Sequence, residues 1–221
     1  MLMAEKQKGI VVPSFEEAQG ILEQDLGNER MRWNEVMQYR ELFDRLGLKS
    51  DGVHDIYHAG RVLVIGGNLG RWEAKTGARI RTREIETVSV HHDRLRQHDG
   101  YDWFHGLRAA LALRREFAGE SLDLDFVLMQ KLCSWHVLPD LFTPRQIREI
   151  PEMKIFEDAD ALDRHNNRGR VNLNFLRLKK SITLLPLAEK LHIQTEVKRS
   201  QIVHPLELVA REAFAIGLII Q

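Results

Sequence analysis

His58, His92, Asp93, His105, His136 and Asp160 belong to the two residue types that hold divalent metals in hydrolytic sites. Such ions take imidazole nitrogen and carboxylate oxygen as ligands. A bound ion lowers the pKa of its water and so supplies hydroxide near neutral pH. The candidates are scattered: His58 stands in HDIYHAGRVL, His92-Asp93 in VSVHHDRLR, His105 in WFHGLRAA, His136 in LCSWHVLPD and Asp160 in FEDADALD. A metal centre built from them requires several elements to converge. His92 and Asp93 are neighbours, and neighbours on a regular helix point about 100° apart. Both reach one ion only where the helix ends or kinks.

The elements that must position these residues read as helices. Ser14-Phe15-Glu16-Glu17 fits a capping box ahead of a short helix. Residues 29–46 carry apolar side chains at helical spacing, with Gly47 as the stop, and Asp51-Gly52 marks a turn. Helical patterns follow over 54–74, 83–94, 104–117, 123–137 with Asp123 as its cap, and 156–164. QHDGYDW, residues 97–103, reads as loop. Pro139, Pro144 and Pro151 punctuate the chain, and the C-terminal third has helical runs at 182–191 and 206–219, with Pro205 suited to a first turn. Strand signals are sparse. The fold class expected is all-α, an irregular compact helical bundle rather than an up-down four-helix bundle. Three segments are expected: a helical extension over 1–50 packed on the core, a metal-binding core over 51–170, and helices over 171–221 that complete the same domain.

This ordered set resembles the HD superfamily of metal-dependent phosphohydrolases over residues 53–163. The family's first histidine precedes an Arg-Val pair, as His58 precedes Arg61-Val62. Its His-Asp pair is followed three positions on by a basic residue, here Arg96, and its last ligand lies in a motif like Asp158-Ala159-Asp160-Ala161-Leu162-Asp163. The resemblance implies an HD-type bundle with His58, His92, Asp93 and Asp160 as a first metal set. His105 and His136 are implied as ligands of a second metal, with Asp93 bridging, or as substrate contacts in a one-metal version. The implied chemistry is phosphoester hydrolysis of a nucleotide or another small phosphorylated substrate by a metal-bound hydroxide. Asp93 serves it, with Arg96 and Arg61 offsetting phosphoryl charge. The expected cofactor is one or two divalent ions among Mn, Fe, Co, Ni, Zn and Mg, with imidazole ligands arguing against Mg alone. One departure stands out: the family's run before the His-Asp pair is strongly apolar, whereas here it is REIETVSVH.

Other readings compete. Some HD relatives carry a di-iron pair and oxidise small hydroxylated compounds with O₂, and a non-catalytic metal-binding module would show the same ligands. His54-Asp55-Ile56-Tyr57-His58 is similar to the zincin pattern HExxH, but Asp55 replaces its glutamate. His54 fits a supporting or helix-start position, His91 a neighbour turned away from the metal, and His98-Asp99-Gly100 a turn. His165, His192 and His204 fit no ligand pattern. Arg94 and Lys131 are further candidates for phosphate, against the plainer reading of a solvated face. Trp72, Trp103 and Trp135 read as core or pocket walls.

Composition sets the bounds. A chain of 221 residues suits one large domain or one domain with a small extension. Lys+Arg and Asp+Glu balance at 32 each, which gives no bulk charge to attract nucleic acid or an anionic membrane. The single cysteine, Cys133, forms no intrachain disulfide and fits a reducing compartment. Without a signal-peptide pattern or an apolar run of about 18 residues, the expected location is cytoplasmic. The C-terminal helices would cover the site or form a homodimer contact.

Overall fold

The helical periods of the sequence fold as helices, and among the described residues the chain forms no strand. The structure is a computed structural model that describes residues 10–49, 52, 54–98, 100–117, 123–164 and 171–221. The positions Asp51, Val53, Asp99 and His165, named above, lie outside them. Helix α1 (Phe15–Leu26) starts at the expected capping box. The Glu17 N–H donates to the Ser14 hydroxyl at 3.2 Å, and the Ser14 N–H donates to the Glu17 carboxylate at 2.7 Å.

The run 29–46, expected as one helix, is broken. A 3-10 turn at Gly27–Glu29 leads to α2 (Trp33–Met37) and α3 (Arg40–Leu46). Tertiary pairing overrides local periodicity here. The Trp33 N–H donates to the Ile220 carbonyl at 2.8 Å and the Ile220 N–H to the Met31 carbonyl at 3.0 Å, so the backbone entering α2 holds the C-terminal tail. Gly47 ends α3 with φ of 57°, a left-handed conformation that a Cβ would oppose.

Helix α4 (Ile56–Ala74) is the axis of the molecule, buried along nearly its whole length. Around it pack α5 (Thr82–His91), α9 (Pro151–Asp163), α10 (Lys179–Lys198) and α11 (Pro205–Ala215), with α1 on α10 and α2 on α11. Enclosure on several sides explains why α4 lacks a wide polar face. The pair α6 (His105–Glu116) and α7 (Phe126–Trp135) lies beyond α5, with α7 against α5 and α9, and α8 (Arg145–Arg148) is a single turn beside α9. At the α6–α7 crossing a Cβ on Gly106 would stand 2.1 Å from the Cys133 carbonyl oxygen, so only glycine permits this approach. One hydrophobic cluster runs from Ala18 to Ile219.

Element ends differ from expectation where a cap decides them. α7 begins after Asp125, whose carboxylate accepts the Leu128 N–H at 2.9 Å, rather than after Asp123. α9 begins at Pro151 rather than Phe156, because a proline in the first turn starts a helix as readily as it ends one. α10 outruns its apolar stretch at both ends, while α11 stops at Ala215 and leaves Leu218 and Ile219 buried in the tail. No described helix is long and apolar enough to cross a membrane.

Candidate metal centre

Helix ends deliver most of the side chains. Asp55 caps α4 by accepting the His58 N–H at 2.9 Å, which places His58 in the first turn and Arg61 one turn on, along the same face. α5 ends at His91; His92, its C-cap residue, keeps helical dihedrals and donates its N–H to the Val88 carbonyl at 2.9 Å, and Asp93 follows in the turn after it. Their exposures are 0% and 7%. His105 is the first residue of α6 and His136 the C-cap of α7. Asp160 comes from the inner face of α9.

These six side chains meet at one point. The Nε2 of His58 lies 3.3 Å from Asp160 Oδ1, 3.4 Å from His92 Nε2 and 3.6 Å from Asp93 Oδ2. His92 Nε2 is 3.4 Å from Asp93 Oδ2 and 3.8 Å from Asp160 Oδ1. The other oxygen of Asp93 faces the second pair, with His105 Nε2 at 2.8 Å and His136 Nε2 at 3.8 Å, and those two nitrogens are 3.1 Å apart. Asp93 therefore divides the cluster, one carboxylate oxygen toward His58, His92 and Asp160, the other toward His105 and His136.

The donor chemistry fits a cation. In His58, His92, His105 and His136 the Nδ1 atom faces an oxygen: Asp163 Oδ2 at 2.7 Å, the Ser89 carbonyl at 2.9 Å, the Asp102 carbonyl at 2.5 Å and the Cys133 carbonyl at 2.7 Å. An oxygen partner places the proton of a neutral ring on Nδ1 and leaves a lone pair on Nε2. Four Nε2 atoms thus converge on two carboxylates. Tetrahedral ligands with bonds of about 2.1 Å have neighbouring atoms about 3.4 Å apart, the spacing around His58, His92, Asp93 and Asp160. Asp93 Oδ2 and His54 Nδ1 are buried without a hydrogen-bond partner of good geometry, although they stand 2.5 Å apart. These His/Asp groups could hold a metal ion.

Electrostatics agree with that reading. Burial works against ionisation of Asp93 and Asp160. The surrounding imidazoles, His92 first, outweigh it for Asp93, and Arg164 and His58 outweigh it for Asp160, so both carboxyls lie well below their usual range. Burial lowers His136 to about 4 and also pushes His54 down, keeping both rings neutral. Burial opposes the charge on His58 as well, but Asp160 and Asp163 dominate and raise it to about 10. Without an ion, a proton on His58 Nε2 answers the ionised carboxylates, and a cation at that place would displace it.

Behind it lies a second set of partners that sequence reasoning missed. Asp163 accepts from His58 and from Arg61, whose Nε is 2.6 Å from Oδ1, and His192 Nδ1 approaches the same oxygen at 3.4 Å. Arg61, expected at the substrate, is instead 2% exposed and committed to Asp163, Thr195 and Glu196. It holds Asp163, and Asp163 orients His58. Residues 160 and 163 point about 60° apart on a helix, so a helical-wheel reading of DADALD would have placed both on the same side. Asp158, on another side, accepts the Arg177 and Leu178 N–H groups and the Ser181 hydroxyl.

Arg96 reaches Asp93 Oδ1 at 3.5 Å and lines clefts on either side of that carboxylate. Arg164, which the sequence did not single out, pairs with Asp160 and is about half exposed. His54, expected as a supporting residue, contacts Asp93 directly and forms a further candidate ligand group with His58 and Asp93. Its zincin-like partner Asp55 serves as the helix cap and binds Arg199. His91 turns away to Glu116, Arg94 pairs with that same glutamate, and Lys131 is exposed on α7. Trp72 is buried in the core, whereas Trp103 is not. Comparison with protein-family models, with curated proteins and with solved structures finds no match to this chain.

Proposed function

We propose that this protein is an HD-type metal-dependent phosphohydrolase acting on a nucleotide or another small phosphoester. The observation that supports this best is the convergence of four Nε2 atoms on Asp93 and Asp160. Buried lone pairs and carboxylates repel one another unless a cation lies between them. In this reading His58, His92, Asp160 and Asp93 would hold one divalent ion, and His105, His136 and Asp93 would hold a second. Such ions would supply an acidified water as nucleophile and a Lewis acid for the phosphoryl oxygens.

The chain's own residues do the rest. The Nδ1 contacts to Asp163, Ser89, Asp102 and Cys133 fix each ring in the orientation and tautomer needed to ligate. Arg96 and Arg164 line the cleft beside His105 and His136, where guanidinium groups offset charge on a phosphoryl group. Burial of the cluster keeps bulk water from competing for the ligands. The test is a screen of small phosphomonoesters and diesters with chelator-stripped protein reloaded with Mn²⁺, Fe²⁺, Co²⁺, Ni²⁺ or Zn²⁺. The expected result is metal-dependent phosphate release that Asp93→Ala abolishes. O₂ consumption by the iron-loaded protein without phosphate release would favour the oxidative reading, and activity retained in Asp93→Ala would sink the catalytic assignment.

A further inference from the structure

Helix α6 is apolar on two opposite faces. Ala109, Ala110 and Leu113 are buried, while Phe104, Leu107 and Leu111 face solvent at 67%, 47% and 68% exposure. At 100° per residue the positions 104, 107, 111 and 115 fall within about 80° of one another, on the side away from the buried row. Two more open rings precede the helix. Tyr101 is 80% exposed and Trp103 47%, stacked with their centroids 5.8 Å apart. Arg114 and Arg115 are exposed at the other end. The outer surface of α6 thus runs from aromatic rings through two leucines to guanidinium groups.

We propose that this face pairs with the same face of a second copy of the chain, the two α6 helices running antiparallel about a two-fold axis beside Leu107. The exposed parts of Tyr101, Trp103 and Phe104 amount to roughly 400 Å², taking about 200 Å² for a whole aromatic side chain. The two leucines bring the patch to about 500 Å², and apolar patches of this size are commonly interaction surfaces. Two copies joined there bury about 1,000 Å² in total, the size at which a specific interface separates from a chance contact. The order of side chains along the stripe selects a copy of itself as the occupant. Turned end for end, Phe104 of one chain meets Leu111 of the other, and Arg114 and Arg115 reach the ring faces of the other chain's Tyr101 and Trp103. A parallel arrangement would set arginine against arginine. Lys+Arg and Asp+Glu balance at 32 each, so no bulk charge holds two copies apart. Tyr101 and Trp103 also line the cleft that contains Arg96, His105, His136 and Arg164, so the second copy stands at the mouth of that cleft. Pairing does not depend on the metal centre being occupied.

Sedimentation equilibrium of the full-length chain from about 1 to about 100 µM tests this. The mass is expected to double over that range. Leu111→Glu sets a carboxylate against the apolar face of the other copy and should raise the dissociation constant by roughly a hundred-fold or more. Leu107→Cys, beside the axis, should form an intermolecular disulfide on mild oxidation, which the buried Cys133 of the unsubstituted chain does not. Leu107 and Leu111 are both exposed, and unchanged thermal unfolding verifies the fold of each variant. Val197→Glu, on the exposed side of α10, probes the homodimer contact expected of the C-terminal helices and should leave the dimer intact. A mass that stays that of one chain up to about 100 µM overturns the proposal, whatever else the face binds, a foreign protein or a lipid surface included. A dimer that survives Leu111→Glu, or one that Val197→Glu dissociates instead, overturns it as well.

Discussion

Two buried carboxylates, Glu86 and Asp93, lie seven residues apart, on α5 and just beyond its end, and are answered in opposite ways. Glu86, 1% exposed, accepts from the Tyr39 hydroxyl at 2.8 Å and from Arg71 Nη1 at 2.6 Å. Burial and the Glu86 charge push the Tyr39 phenol far above its ordinary value, so it stays a donor. This charge is neutralised inside the protein. Asp93 is met instead by a ring of imidazoles, with Arg96 no nearer than 3.5 Å and Arg164 acting on it electrostatically. A chain that places an arginine and a tyrosine on one acid and a ring of histidines on the next neutralises the first internally and leaves the second in a group that could hold a cation. The contrast also accounts for the polar run REIETVSVH. Glu84 accepts the Asp125 N–H, Glu86 binds Arg71, and Thr87 and Ser89 donate to carbonyls of their own helix, so polar groups are buried on α5 with partners supplied.

Substitutions sharpen that contrast. Asp93→Ala removes the carboxylate shared by both halves of the cluster and should cost at least a hundred-fold in metal affinity, measured by competition with a chromogenic chelator; loss of an outer partner of a metal site already costs roughly 10–100-fold. Asp163→Asn keeps an oxygen for His58 but withdraws the charge that Arg61 needs. Metal affinity should fall by roughly 10–100-fold while phosphate release, if metal is raised to saturation, recovers. Gly106→Ala drives a Cβ into the Cys133 carbonyl and should separate His105 from His136. Stability is expected to drop by about 1–3 kcal/mol in urea unfolding, and one of two metal equivalents should be lost while the His58–His92–Asp160 half still binds. Glu86→Gln should weaken only the structural pair, costing about 1–3 kcal/mol of stability with metal stoichiometry unchanged. If Glu86→Gln and Asp93→Ala reduce metal binding equally, the distinction between the two acids is false.

Much of the site was legible because its residue types are unusual and their order carries information. His58, His92-Asp93, His105, His136 and Asp160 stand out as types, and the fold brings them into one cluster around Asp93. Local signals also fixed several boundaries: the Ser14 capping box, Gly47 and Pro205 do in the fold what their types dictate. What remained hidden depends on contacts distant in the chain. The break at Met31–Trp33 exists because the tail pairs there, some 190 residues later. Arg61 carries the charge that suits a phosphate, and only the placement of Asp163, Thr195 and Glu196 around it assigns it to the interior. Arg164 belongs to no motif and was invisible for the same reason, whereas His54, read as a supporting residue, contacts Asp93 itself.

The measurement closest to the central claim is metal stoichiometry by elemental analysis of the purified chain, stripped with chelator, reloaded and passed through a desalting column, alongside Asp93→Ala treated identically. The account predicts two equivalents of a first-row divalent metal per unsubstituted chain, none retained by the variant, and a higher unfolding temperature for the loaded protein than for the stripped one. A stripped protein that takes up no metal, or a variant that retains as much as the unsubstituted chain, would contradict it.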